Sequence, residues 1–225
     1  MQNYKKEFIE FLVKNNALQF GDYTLKSGRQ SPYFINTKVF ESGATMKKLG
    51  YFFASLIKDE FGANFDIIFG PAYGGIPLAI TTCISLENDF GMNKFFTYNR
   101  KEIKDYADKR VADGHTLADG DKLIMIDDVI TDGGTKFDTV ELINNLAKVE
   151  YIGLVVAVNR QEKTKEGLDA FKNIEDKLNF PVKAIVTVRE IIEHLTDREI
   201  DGEVYLTKEK AQEMEDYLKE FGIKK

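Results

Sequence analysis

The sequence predicts an α/β protein, a central and mainly parallel sheet flanked by helices, with a small cap formed at the N-terminal end. Three observations carry that expectation. From about residue 65 onward, short apolar runs alternate with longer stretches of helical period, as they do where crossover helices wind a parallel sheet. The chain has 225 residues, 43% of them hydrophobic, which is enough for one substantial core. Four apolar residues, Leu123, Ile124, Met125 and Ile126, lead straight into Asp127 and Asp128, then into Thr131-Asp132-Gly133-Gly134-Thr135. That is a buried strand, two carboxylates and a glycine turn ahead of a helix.

Each element follows from local pattern. Tyr4 to about Lys14 reads as a helix with Tyr4, Phe8, Phe11 and Leu12 on one face. The stretch from Gly21 to Asn36 reads as short β-like pieces around a polar turn, with two basic residues and aromatics that look exposed. Ala44 to Phe61 returns to helical period, with Leu49, Phe52, Phe53, Leu56 and Ile57 as the buried stripe. Phe65–Phe69 is a strand ending in Gly70-Pro71-Ala72-Tyr73-Gly74-Gly75; Ile76 to about Glu87 is a helix, and Lys94–Asn99 another strand. Arg100 to Asp121 is polar, lacks a clear period and is too long for an ordinary connector. After the Leu123 strand come a helix from about Lys136 to Leu146, a strand Tyr151–Asn159 ending at Arg160, a helix Glu166–Leu178 and a strand Val182–Val188. Short helices at Arg189–Leu195 and Lys208–Phe221 close the chain, the last with Ala211, Met214, Tyr217, Leu218 and Phe221 as its apolar stripe. No repeat, low-complexity tract or linker divides the sequence. A single domain over residues 1–225 is expected, with a hood mainly from residues 1–40 plus C-terminal elements and a core over about 44–195.

Composition narrows the function classes. The net charge is −6 and 30% of residues are charged, so a dedicated nucleic-acid binder, which would be basic, is disfavoured. The single cysteine, Cys83, rules out an internal disulfide framework, fits a reducing compartment, and reads as a core residue of its helix. The N-terminus has no apolar signal core, and no apolar run approaches a membrane span. A soluble cytoplasmic protein without a membrane partner is expected. The two histidines, His115 and His194, stand in no acid–nucleophile pattern and read as surface or structural. Phosphate-loop, dinucleotide and zinc spacings are missing from the sequence.

The stretch from Leu123 to Thr135 carries the chemistry. Two glycines beside two threonines make a tight loop whose backbone N–H groups can converge on an anion, with a helix N-terminus behind them. Side chains at the tip of a parallel strand sit where open α/β sheets bind ligands. Aspartates after a strand often only cap the next helix. Here the helix begins some seven residues later, too far for both acids to be caps. The combination suits a phosphorylated sugar: the loop takes the phosphate, and the acids take ribose hydroxyls or a magnesium ion.

This segment resembles the diphosphoribosyl-binding motif of the type I phosphoribosyltransferases, and other stretches narrow the likeness to the orotate phosphoribosyltransferase family. Leu25-Lys26-Ser27-Gly28-Arg29 with Ser31-Pro32-Tyr33-Phe34 resembles that family's N-terminal hood. Gly70 to Ala79 is similar to its diphosphate loop, Asn99 to Tyr106 to its mobile catalytic loop, and Asn159-Arg160-Gln161-Glu162 to its orotate-binding strand end. Five separated motifs in order cover the chain from its first helix to its last. The resemblance implies the type I phosphoribosyltransferase fold and transfer of 5-phosphoribosyl from phosphoribosyl diphosphate to orotate, with Mg2+ as cofactor, in pyrimidine biosynthesis. It also implies a homodimer whose loop 100–115 reaches the neighbouring site.

Carried over residue by residue, the likeness assigns Arg100, Lys101 and Lys104 to the diphosphate, with Tyr106 beyond them. Five cations, Arg100, Lys101, Lys104, Lys109 and Arg110, fall within eleven residues. Such a run is ordinarily a solvated loop, the reading kept for Lys109 and Arg110. As a closing flap it would stabilise charge on the leaving diphosphate. Asp127, Asp128, Val129, Ile130, Thr131, Asp132, Gly133, Gly134 and Thr135 are assigned to the donor's ribose 5-phosphate, and Tyr73 and Gly74 to its diphosphate. Lys101, Lys104, Asp127 and Asp128 are the implied catalytic residues. Lys26, an ordinary surface lysine on its own, becomes a hood contact. Phe34 and Ile35, otherwise core residues of the cap, become an apolar wall for the pyrimidine. Arg160 ends an apolar strand, where a guanidinium without a partner would be costly. A bidentate contact to the orotate carboxylate supplies one; an ion pair with Glu162 or Glu193 is the alternative. One departure stands out: many bacterial members carry lysine at the position of Gly74. Two other functions remain open, an enzyme of the same fold acting on a purine or another pyrimidine, and a non-enzymatic sensor of phosphoribosyl diphosphate.

Overall fold

The computed structural model describes residues 1–25, 28–101, 111–130 and 134–223, with backbone alone at 135. The chain opens with α1 (Asn3–Lys14), an antiparallel hairpin of β1 (Leu18–Thr24) and β2 (Gln30–Ile35), and a 3-10 turn at Thr37–Val39. In front of α2 (Gly43–Phe61), Ser42 and Thr45 each accept the other's backbone N–H, a capping box that fixes where the helix starts. Next come β3 (Ile67–Phe69), α3 (Gly75–Phe90), β4 (Phe95–Asn99) and β5 (Ala112–Gly114). They are followed by β6 (Lys122–Val129), α4 (Gly134–Asn144), β7 (Glu150–Asn159), α5 (Ala170–Leu178) and β8 (Val182–Thr187). The chain closes with α6 (Val188–Leu195), a minimal hairpin of β9 (Glu199–Ile200) and β10 (Glu203–Val204), and α7 (Lys208–Phe221).

The central sheet has six strands in the order β5-β4-β3-β6-β7-β8, all parallel except β5, which runs antiparallel to β4 at the edge. Its inner strands β3, β6 and β7 are apolar on both faces, as a sheet covered by helices on both sides must be. Alternate residues separate into two apolar clusters. Ile68, Ile124, Ile126, Val155 and Ala157 pack with α1, α2, α3, α6 and α7, whereas Ile67, Phe69, Leu123, Met125, Leu154 and Val156 pack under α4 and α5. The first cluster is continuous from Tyr4 to Leu218, so the hood hairpin and the C-terminal helix share the core of the sheet.

Local pattern and structure differ at four places. Tyr33 is fully buried rather than exposed, because α7 packs across β2 and Tyr217 meets its ring edge-on at 6.1 Å. The stretch after Arg100 contains β5, too short and polar to show a period; Thr97 Oγ1 donating to the Asp113 carbonyl at 2.8 Å helps hold it. The helix expected from Glu166 begins at Ala170, since Gly167 adopts a left-handed φ of 80° and Asp169 caps the backbone N–H groups of Phe171 and Lys172. The β9–β10 hairpin was not legible at all, each strand being only two residues long.

Candidate active site

Strand order fixes where a ligand can sit. From β3 the chain winds outward to β4, and from β6 it winds the opposite way to β7 and β8. The reversal leaves a crevice beyond the carboxyl ends of β3 and β6, the place where open α/β sheets bind ligands. Both glycine-bearing motifs reach it, Gly70–Gly75 after β3 and Asp127–Val129 at the end of β6, with Gly134 opening α4 beyond.

The Gly70–Gly75 loop folds back on itself. A Cβ on Gly70 would stand 2.1 Å from the Gly75 carbonyl oxygen, and one on Gly75 would stand 2.7 Å from Gly70, so neither position admits a side chain. The Ala72 N–H donates to Asn99 Oδ1 at 2.8 Å, tying the loop to the end of β4. Gly74 differs: a Cβ there meets nothing within 4 Å, so the lysine of many bacterial family members would encounter no obstacle. Tyr73 is exposed, and the Lys101 ammonium lies 4.8 Å from its ring centroid. Arg100, assigned to diphosphate from the sequence, is bound to Asp113 of β5 through Nε at 2.6 Å and Nη2 at 2.9 Å. Lys101 is thus the cation of this described segment that faces the glycine loop.

At the end of β6 the two acids are held in different ways. Asp127 Oδ1 accepts the Asp128 N–H at 2.8 Å, and its Oδ2 accepts from the Lys136 ammonium, which is buried at the start of α4. Asp128 Oδ1 accepts the Val129 N–H at 2.7 Å, and its Oδ2 accepts from the Thr37 hydroxyl of the hood turn at 3.2 Å. Burial, then the charge of Asp127, pushes the Asp128 carboxyl above its ordinary range, against the two hydrogen bonds that favour its charge. Ile130 is buried behind the acids, and Gly134 opens α4. Every carboxylate oxygen therefore already has a donor, and among the described residues no three His, Cys, Asp or Glu side chains gather as a metal cage. This donor set fits a magnesium ion carried mostly by substrate phosphates and water, the usual habit of that ion, with the two acids beside it.

The hood closes the crevice from the other side. Phe34 is exposed at the rim and stacks with Tyr23 at 5.4 Å, while Ile35 is half-buried against the main core. Arg160, at the end of β7, is paired with Glu162: Nε and Nη2 donate to Glu162 Oε1 at 2.9 and 2.7 Å, and Nη2 also reaches Ser31 Oγ at 3.3 Å. The inference from a missing partner fails here, because Glu162 supplies one. Burial opposes the charge of Arg160, but Tyr33 and Glu162 outweigh it and its pKa stands above the ordinary value.

Lys26, Lys104, Tyr106, Thr131, Asp132 and Gly133 lie outside the described residues, as does the side chain of Thr135. Two residues that sequence reasoning passed over stand out. Lys136 had only its place beside the glycine turn to mark it, and Thr37 lies 91 residues from its partner Asp128. Glu162 was noticed, but only as an alternative partner. His194 is buried with Nε2 3.2 Å from Glu10 Oε1, a tie between α6 and α1, and His115 stacks on Phe95 at 4.2 Å. Cys83 is buried, its thiol pushed up to about 12 by burial.

A switch-point crevice with a glycine loop on one strand end and paired aspartates on the next, ahead of the Gly133-Gly134 sequence, defines a transferase of the phosphoribosyltransferase class. The phosphoribosyl transferase domain family matches residues 36–195. Orotate phosphoribosyltransferase of Clostridium acetobutylicum is 40% identical over 224 residues, spanning 100% of both chains. That of Agathobacter rectalis is 42% identical over 226 aligned residues, again 100% of both. The crystal structure of the Francisella tularensis orotate phosphoribosyltransferase superposes with a TM-score of 0.83 at 32% identity, covering 96% of this chain and 100% of that one. The chain belongs to the orotate phosphoribosyltransferase family.

Proposed function

We propose that the protein transfers the 5-phosphoribosyl group of phosphoribosyl diphosphate to N1 of orotate, giving orotidine 5′-monophosphate and diphosphate in pyrimidine biosynthesis. The observation that carries this reading is 40% identity along the whole length, hood included, to relatives named for that activity. Asp127 and Asp128 hold the ribose hydroxyls and set negative charge near the oxocarbenium-like carbon that develops during transfer. The 131–135 turn receives the 5-phosphate on its backbone N–H groups. Lys101, with Lys104 of the same loop, stabilises the leaving diphosphate as its charge grows. Magnesium, bound with the donor, supplies neutralisation of the diphosphate. The orotate anion is already a nucleophile, so no strong general base is needed, and the protein contributes positioning and exclusion of water. The Phe34–Ile35 segment, Lys26 and Arg160 select the acceptor.

The working form is a homodimer in the cytoplasm, in which loop 100–115 serves the neighbouring site. Ile84 of α3 and Phe95 of β4, 51% and 55% exposed, support an apolar contact between copies. No described helix is long and apolar enough to cross a membrane. The test is orotate absorbance in the presence of phosphoribosyl diphosphate and magnesium, with and without chelator. Orotate should be consumed only when donor and metal are both present. Consumption of uracil, hypoxanthine or adenine instead would reject orotate as the acceptor.

A further inference from the structure

The side chain of Glu162 is the meeting point of a buried polar cluster. Its Oε1 accepts from the Tyr33 hydroxyl at 2.7 Å as well as from Nε and Nη2 of Arg160 at 2.9 and 2.7 Å, and its Oε2 lies 3.8 Å from Arg29 Nη1. The Arg160 guanidinium lies 4.2 Å from the centroid of the Tyr33 ring. The buried Tyr217 ring closes on Tyr33 from α7.

The backbone beneath this carboxylate is held on several sides. Gln161 takes a left-handed φ of 54° and donates its N–H to Asn159 Oδ1 at 2.7 Å, turning Glu162 back toward Arg160. The Lys163 N–H donates to the Phe221 carbonyl and the Ile223 N–H to that of Gln161, both at 2.8 Å, while Glu162 pairs with Gly222 across an isolated bridge. From the hood, Arg29 donates to the carbonyls of Lys163 at 2.8 Å and Thr164 at 3.3 Å. A long arginine side chain ordinarily pays heavily in rotamer freedom to present one edge. Here one edge is bonded and one face covered before any ligand arrives, and Nη1 is the nitrogen outside those bonds.

We infer that Glu162 is a positioning residue for acceptor recognition: it fixes the Arg160 guanidinium so that its Nη1 edge is presented to an oxygen of the incoming base. The inference rests on the acceptor reading given above. The Arg160–Glu162 pair is neutral, and Arg29 on the other oxygen of Glu162 leaves the cluster with one net positive charge, so Arg160 contributes the directed hydrogen bond and the cluster as a whole favours an anion.

The experiment is steady-state kinetics on the full chain with each substrate varied in turn, for wild type, Glu162→Ala, Glu162→Gln and Tyr33→Phe, beside their melting temperatures. Glu162→Ala should raise the orotate KM by about tenfold or more, the scale of one charge-assisted hydrogen bond, with the phosphoribosyl diphosphate KM nearly unchanged. Glu162→Gln, which keeps an acceptor oxygen, should recover part of that loss. Tyr33→Phe, which leaves the Arg160–Glu162 bonds in place, should do less than Glu162→Ala. An orotate KM equal to wild type in both Glu162 variants overturns the inference, as does a parallel rise for both substrates with a fall in melting temperature. If the alanine variant does not fold, the glutamine variant decides by the same criteria. A wild-type protein that does not use orotate overturns the acceptor reading itself, and this inference with it.

Discussion

Lys136 is buried at the first turn of α4 with its ammonium on Asp127 Oδ2, so one of the two adjacent acids at the tip of β6 meets a cation from the next element. Two neighbouring carboxylates repel, and a partner for one of them relieves that cost while fixing its orientation. Removing the cation leaves Asp127 short of its compensating charge. Lys136→Met, which keeps most of the apolar stem, is expected to be less stable by about 1–3 kcal/mol in urea unfolding, the range for losing a hydrogen bond to a charged group. Its kcat/KM for phosphoribosyl diphosphate should fall by about tenfold or more, since Asp127 loses its fixed pose. Wild-type stability and kinetics in this variant would dismiss the clamp.

Lys101 stands over Tyr73 of the glycine loop, whereas Arg100 is spent on Asp113. That difference ranks the two neighbouring cations. Lys101→Ala should lower kcat by roughly 10²–10³, the scale for removing one group that stabilises transition-state charge. Arg100→Ala should act mainly through stability, by loosening β5 from β4. Rapid-quench measurement of the chemical step separates the two; equal kcat losses would refute the ranking.

What the sequence disclosed, and what it hid, follows from the range of the interactions. The strand Leu123–Ile126, its acids and its glycine turn are contiguous, so their pattern survives without any tertiary information. Burial of Tyr33 depends on Tyr217 of α7, 184 residues downstream, and a β-like segment with alternating aromatics says nothing of what covers it. The pairing of Arg160 with Glu162 depends on Gln161 adopting a left-handed φ of 54°, a conformation that non-glycine residues rarely take. With an extended backbone there, the orotate carboxylate would be the better partner. The link from Thr37 to Asp128 joins a hood turn to a core strand and has no local trace.

Ile84 and Phe95 are large apolar side chains more than half exposed, the first on α3 and the second on β4, which pack together. If a second copy covers them, Ile84→Glu combined with Phe95→Glu should shift the protein to monomers in sedimentation. Activity should then fall steeply, because a loop serving the neighbouring site has no neighbour. Mixing Lys104→Ala with a variant defective at Asp128 gives a sharper readout. Subunit exchange should restore part of the lost activity, since one of the hybrid's two sites combines an intact loop with intact acids. No recovery on mixing would place the loop over its own subunit's site.

Asp128 is held above its ordinary carboxylate range by burial and by Asp127, so its ionisation works against folding. For an acid of raised pKa, the folded state binds the proton more tightly than the unfolded chain does. Its contribution to stability is therefore most favourable below the unfolded value of about 4 and declines as pH rises through the folded value. Above the folded value the whole penalty is present. Asp128→Asn removes it while keeping a side-chain oxygen that can accept from Thr37 or the Val129 N–H. The variant should melt higher than wild type at pH 7, and the gap should narrow as pH falls below about 4, where the wild-type carboxyl is neutral as well. Turnover should move the other way, by about tenfold or more, through loss of negative charge beside the ribosyl carbon. Gain of stability with loss of activity marks a group retained for function at the expense of the fold. An asparagine variant that melts lower than wild type at pH 7 would mean that the ionised carboxylate stabilises this site.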